Sequence, residues 1–466
     1  MDDQKTTFEV LDLSGGEGDY GAVATKTTTG NDKHPLNVLP MTTARPPTRA
    51  SPSTAEPISA ATRATPVPVA LQAPPDTLVC TVSNMLRPEA SALPPDGLCD
   101  VLFYESFYKD DMNILGDGYA NLEPSSRHFV DQAYHAQKTL YGASFAFTRT
   151  YSTPDFFMTQ EFYEAIDDFW VRKIHHFGFL NLYREFSAPE VVKGALLALR
   201  GLHFHHKHFK RERTFSYQIL GLSMASINIP TAIDDTALFI STVFVPSMFI
   251  AIGHLSFSDA SFHDCTILPP NNVFLLPPNV TYVHDLRESM ERLRSIGKLI
   301  RGLSLSLSVG LSGRYYNPSP RSSAVASTAD YGLFANCSDF SGPFYDDPAN
   351  ACTSANGGDW EAISNDSFLF TAVYSKRLQR TLTYDMAELI QYKVCGSKTN
   401  FTDVHFSLAA YDVNFDSSPE ACEEIGLSAG AFRRLSTIRP LSNYLLSRYE
   451  SPDMCVVMNF STSRAV

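Results

Sequence analysis

Basic residues are in short supply in this 466-residue chain: 37 Lys and Arg stand against 50 Asp and Glu, a formal net charge of −13. Nucleic acid and anionic membrane both select for basic faces, so neither is expected as the main partner. Tryptophan is scarcer still, with Trp170 and Trp360 its only occurrences. None of the eight cysteines falls in a C-x-x-C pair, so no metal site is expected, and no cofactor motif stands out either. A G-x-S-x-G elbow, a Walker loop, a dinucleotide fingerprint and H-E-x-x-H are all missing. The N-terminal "MDDQKTTFEVLDLSGG" has neither the basic n-region nor the apolar h-region of a signal peptide. The longest apolar stretch, residues 237–257, carries Pro246, several Ser and His254. It therefore reads as two buried strands with a short connection rather than a membrane span.

What is present divides the chain. Residues 1–75 are rich in Pro, Thr, Ser and Ala, with almost nothing to bury, and are expected to form a disordered arm. From 76 onward, short apolar runs alternate with helical periodicity. "TLVCTV", "CDVLFY", "TLYGASFAF", the 178–186 run, "FSYQILGLS", the 237–257 stretch, "LSLSLSVGL" and "VHFSLAAY" supply about eight strands. Between them lie helical patterns such as Leu286, Met290, Leu293, Ile296 and Leu299. Strands separated by helices predict a parallel α/β fold, and eight of them a closed (β/α)8 TIM barrel over residues 76–445. The Gly-, Ser- and Asn-rich segment near 316–372 reads as a small insertion between the seventh and eighth strands, and 446–466 as a C-terminal tail. One basic run, "HFHHKHFKRER" at 203–213, stands out in this acidic chain and reads as a solvated helix end.

Cys80 and Cys99 flank the first two strand runs, where a bridge closes without strain. Cys337 with Cys352 and Cys395 with Cys422 are the next pairs the order suggests, leaving Cys265 and Cys455 without an evident partner. Five N-x-[ST] sequons, at Asn279, Asn336, Asn365, Asn400 and Asn459, join the pairable cysteines in favouring an extracellular or cell-surface folded part.

The order of features resembles family 18 glycoside hydrolases, the chitinases and chitinase-like lectins, in a divergent, arthropod-type form. "LVC…LPPDGLCDVLFYESF" is similar to the family's first two strands with their bridging cysteines. "KTLYGASFAF" stands where a strand ends Gly-Gly, and "LSLSVGLSGRYYNP" resembles the seventh strand, which ends Tyr-Gly-Arg. Here Gly313 and Arg314 match and Ser312 replaces the tyrosine. The fourth-strand signature, Phe-Asp-Gly-x-Asp-x-Asp-Trp-Glu-Tyr, falls on Phe177–Phe186 as Phe-Gly-Phe-Leu-Asn-Leu-Tyr-Arg-Glu-Phe. The glutamate survives as Glu185. All three aspartates are gone, replaced by Gly178, Asn181 and Tyr183.

The resemblance implies a substrate-assisted mechanism. The glutamate protonates the leaving oxygen, the substrate's N-acetyl oxygen attacks, and the aspartate two residues earlier balances the cationic intermediate. Tyr183 at that place is neutral near pH 7 and cannot supply the charge. Strand alternation puts Asn181, Tyr183 and Glu185 on one face, pointing into the barrel mouth. The sixth strand offers His254 and Leu255 where Tyr-Asp is usual. The eighth offers Leu408 or Ala409 in place of a stacking tryptophan. The expectation is a chitinase-like protein without significant hydrolase activity, binding an oligosaccharide or a protein through the mouth by Asn181 and Tyr183. Two alternatives stand beside it: a divergent glycosidase with Glu185 as its acid, and an interaction protein with a plugged barrel.

Overall fold

The computed structural model describes residues 66–458 outside 84, 88–91, 106–107, 110–111, 114–118, 146–158, 183–188, 209–214, 224–228, 256–264, 274–284, 320–327, 339–343, 354–358 and 364–369. Eight parallel strands close into a barrel: β1 (Val79–Ser83), β2 (Val101–Glu105), β3 (Leu140–Ser144), β4 (Ile174–Leu182), β5 (Gln218–Leu222), β6 (Met248–Ala251), β7 (Leu305–Gly310) and β8 (Ser407–Tyr411), with β8 pairing back onto β1. Helices α1 (Pro124–His135), α2 (Gln160–Val171), α3 (Pro189–His208), α4 (Ile229–Thr242) and α5 (Leu286–Leu299) precede β3 to β7 in turn, and α6 (Ala387–Lys398) precedes β8. Two more, α7 (Arg433–Ser447) and α8 (Pro452–Val457), follow it.

Both faces of each strand are buried, as a barrel wrapped by helices requires. Val79, Val101, Phe103, Leu180, Ile219, Met248, Ile250, Ala409 and Tyr411 meet inside the barrel. Their strand neighbours Leu102, Tyr104, Phe177, Phe179, Leu220, Phe249, Leu307 and Leu408 pack outward with helix residues. Helix α5 shows the local logic. Asp285 caps it by accepting the Glu288 N–H at 2.9 Å, and Leu286, Met290, Leu293 and Ile296 form its buried stripe. Leu299, counted in that stripe from spacing, is instead exposed at the helix end.

Several sequence expectations shift. The apolar stretch 237–257 holds one strand, not two, because Ala237 and Ile240 belong to the buried side of α4 and only Met248–Ala251 is extended. The polar "PTAIDDT" ahead of them extends the helical period, which the apolar run alone concealed. Residues 66–75, assigned to the arm, lie across the N-terminal end of the barrel. The Ala70 and Ala73 N–H groups bond Val245 O and Ser247 O, and Gln72 bridges Pro246 O and the Ser304 N–H. The insertion is longer at both ends. Its antiparallel sheet runs in the order Phe344–Asp346, Gly313–Tyr316, Arg380–Tyr384, Thr371–Ser375, Glu361–Ile363. The expected tail is helical as far as Val457. Among the described residues, no helix is long and apolar enough to cross a membrane.

Four disulfides join Cys80 to Cys99, Cys265 to Cys337, Cys352 to Cys422 and Cys395 to Cys455. The pairings Cys337–Cys352 and Cys395–Cys422 are thereby corrected, and Cys265 and Cys455 both have partners. Cys395 sits on the α6 face that receives α8, where Gln391 also donates to Cys455 O at 2.7 Å. Cys352 packs in the core of the lobe beside Cys422, which folds back there after β8. The lobe's base is held by a buried ion pair. Lys393 Nζ lies 2.7 Å from both Asp385 Oδ1 and Asn271 O, while Asn271 Nδ2 donates to Asp385 Oδ2 at 2.9 Å and to Gly310 O at 3.0 Å. Burial pulls the Lys393 ammonium below its ordinary range, against the pull of Asp385.

Candidate functional site at the barrel mouth

In a parallel barrel the C-terminal strand ends form the mouth, where inward side chains are available to a ligand. The sequence places Tyr183 and Glu185 there, and both lie outside the described residues. Asn181 is described and buried, and its Oδ1 has no hydrogen-bond partner. Regular alternation does not hold around it. Gly178 and Leu180 take the inward parity of β4, Phe177 and Phe179 face the helices, and the β4–β5 register breaks between Phe179 and Leu182. Leu182 accordingly joins the helix-facing cluster, so Asn181 occupies an irregularity and not a simple inward step.

Beneath the mouth, Tyr411 crosses the barrel. It leaves β8 inward and donates its hydroxyl to Leu180 O on β4 at 2.9 Å. The ring lies 4.5 Å from that of His254, whose Nδ1 is 2.7 Å from Ser308 Oγ. Glycine at 221 makes this crossing possible, since a Cβ there would stand 2.9 Å from both Leu180 O and Tyr411 Oη. Burial pushes the Tyr411 phenol well above its ordinary range, and the Glu105 and Asp412 carboxylates push further in the same direction. Sequence reasoning missed this residue. Its signal was parity, two positions beyond Ala409 on a strand with inward odd numbers.

Other named positions are also on view. Ala409 is inward and small, and Leu408 faces the helices, so β8 supplies no aromatic surface at either position. His254 and Leu255 are buried. Ser312 is buried with its hydroxyl unpartnered, while Arg314 bonds Tyr316 Oη at 2.7 Å. Trp360 fills the lobe core, donating to Ala351 O at 3.0 Å, and Trp170 stacks on His206. Thr81 Oγ1 receives the Asp412 N–H at 3.1 Å and reaches Glu105 Oε2 at 3.5 Å, a polar cluster between β1, β2 and β8 that the sequence reading did not single out. A cavity of about 160 Å³ flanks this side, lined by Met85, Arg87, Asp346, Asn414 and Phe415 among others. Among the described residues, no group of three His, Cys, Asp or Glu side chains is arranged to hold a metal ion. Asn336 and Asn400 are exposed, and Asn279, Asn365 and Asn459 lie outside the described residues.

The crossing gives a stability prediction. Gly221→Ala is expected to cost about 1–3 kcal/mol in urea unfolding, as overpacked cores do. Combined with Tyr411→Phe, part of that cost should disappear because one clashing atom has gone. Strict additivity of the two changes would show that Gly221 and Tyr411 do not share a site.

No family model matches the chain, and no curated protein does. Solved structures do. A group II chitinase catalytic domain from Ostrinia furnacalis, in complex with an N-acetylchitooligosaccharide, is 12% identical over 81% of this chain and 98% of that one, with a TM-score of 0.52. A group IV chitinase from the same species, in complex with allosamidin, is 11% identical over 79% of this chain and 100% of that one, with a TM-score of 0.53. The likeness is one of fold: this chain has the closed barrel of those chitinases.

Proposed function

We propose that the chain is a divergent, chitinase-like member of the family 18 glycoside hydrolases that binds N-acetylglucosamine oligomers at the rim of the barrel and does not turn them over at a significant rate. The ligand class comes from the fold shared with a chitinase solved in complex with an N-acetylchitooligosaccharide, and the loss of turnover from β8. Ala409 offers no ring for a sugar's apolar face to stack on, and the Tyr411 phenol is committed to Leu180 O. Tyr183 in place of an aspartate adds the chemical reason, because a neutral phenol leaves a developing cation uncompensated. A positioned charge of that kind is worth about 10²–10⁴ in rate. The chitinase fold and four disulfides support a folded part exposed to an oxidising, extracellular environment.

The cross-barrel Tyr411 also favours a second reading, a protein-interaction module whose barrel is closed to ligands. One experiment separates them. The full chain, expressed through a secretory host, is assayed for hydrolysis of fluorogenic N-acetylglucosamine oligomers and titrated with the unlabelled oligomers by calorimetry. Saturable binding without turnover is the expected result, with measurable turnover gained in Tyr183→Asp. Turnover in the wild type that Glu185→Gln abolishes would establish a working glycosidase. Neither binding nor turnover would favour the closed module.

A further inference from the structure

At the opposite end of β4 from the mouth, His206 of the 203–213 run does not belong to a solvated helix end. His206 is buried, its ring stacked 4.2 Å from Trp170 of α2 and 5.0 Å from Phe177 of β4. Neither ring nitrogen has a hydrogen-bond partner. It is therefore a neutral base clamped between two aromatic rings, and it has nowhere to put a proton while it stays there. We propose that this seam is an acid-operated release point, at which protonation of His206 drives its ring out and lifts the α2–α3 pair from the foot of β4.

The surrounding charges fix how the release proceeds. From α2, Asp167 holds His205 Nε2 at 2.7 Å, and Tyr163 stacks on that imidazole at 4.5 Å. This contact and the stack join α2 and α3 to each other. From β4, His175 Nε2 lies 3.0 Å from Trp170 O, with its ring 4.4 Å from the indole. His176, fully buried, accepts the Tyr217 N–H at Nδ1 at 3.0 Å. On α3 itself, His203 flanks the site. Among these neighbours the one carboxylate is Asp167, which His205 already occupies. Burial, joined by repulsion from His205, His175 and His203, holds the affinity of His206 for a proton down to about 3. In the lifted state the same imidazole is solvated and recovers its ordinary affinity.

Hydrogen exchange of the full chain at several pH values, corrected for intrinsic rates, tests this. Opening of the seam should rise about tenfold per pH unit below 6.5, hence about 100-fold by pH 4.5. The rise should appear in peptides covering the ends of α2 and α3 and the start of β4, while α5 and β7 keep their protection. His206→Phe should remove most of the rise, His175 accounting for the remainder, and His206→Leu serves where the larger ring disturbs folding. His205→Gln should retain it. Unchanged local protection down to pH 4.5, a uniform loss across the barrel, or the same rise in the folded His206 variants would each overturn the proposal.

Discussion

Asp385→Ala is expected to destabilise the fold by about 3–5 kcal/mol, the range for a buried ion pair broken on one side. The substitution leaves the Lys393 ammonium fully enclosed with Asn271 O as its remaining partner among these groups. The converse change, Lys393→Met, leaves a buried carboxylate with Asn271 Nδ2 at 2.9 Å as its remaining side-chain partner among the described residues and should cost a similar amount. Removing both charges together, as Asp385→Leu with Lys393→Met, should recover most of the loss, because no uncompensated charge then remains. Urea midpoints at constant m-value measure all three. Singles costing under about 1 kcal/mol would show that water reaches the pair. The site matters beyond stability because Asn271 also binds Gly310, the last residue of β7. Damage there is transmitted to the mouth.

The second large effect is acid lability, and its sign follows from the histidines. Burial first, and cationic neighbours second, hold His176 and His206 at about 3 in the folded protein, against about 6.5 when unfolded. The unfolded chain therefore takes up protons first as pH falls, and stability declines from 6.5 down towards 3. Each histidine contributes about 1.4 kcal/mol of loss per pH unit. Asp285 works the other way. Burial raises its carboxyl to about 6, so protonating it stabilises the folded state as pH falls from 6 to about 3.8. Comparing variants isolates each group. Denaturant unfolding between pH 6.5 and 4 should give His206→Phe a slope shallower than wild type by about 1.4 kcal/mol per unit. Asp285→Asn, which keeps a capping oxygen, should steepen the slope by a similar amount. Parallel slopes for wild type and His206→Phe would mean that His206 titrates normally in the folded protein.

The barrel was legible because its causes are local. Two-residue alternation and helical stripes survive in "LSLSLSVGL" and in Leu286 to Ile296, and each run needs only its own neighbours to be read. Disulfide pairing is not local. The three bonds beyond Cys80–Cys99 close over sequence separations of 60 to 72 residues, set by which loops the barrel brings together. The seating of residues 66–75 on the barrel was hidden for the same reason, since its bonds run to Val245 and Ser304 and not to its own helix or strand. At the site, position on β8 left Leu408 and Ala409 open, and the structure turns Ala409 inward and Leu408 towards the helices. The break in β4 was not legible, because an irregularity of one residue leaves no compositional trace. His206 was misread because a polar run at a helix end is normally solvated; only the approach of Trp170 and Phe177 reverses that.

On the proposed reading, the lobe's attachments bear on how an oligosaccharide is admitted. It leaves and rejoins the barrel through the adjacent antiparallel strands Gly313–Tyr316 and Arg380–Tyr384. Covalent links tie it on one side to the segment after β6, through Cys265–Cys337, and on the other to the segment after β8, through Cys352–Cys422. A lobe fastened at three places is expected to act as a fixed wall. On the proposed reading, selection at this rim should be by fit to a preset opening and not by closure around the guest. Arrival should be a single diffusional step, with an observed rate linear in ligand concentration and no slow phase. Reducing the two bonds would convert the wall into a flap and introduce that phase.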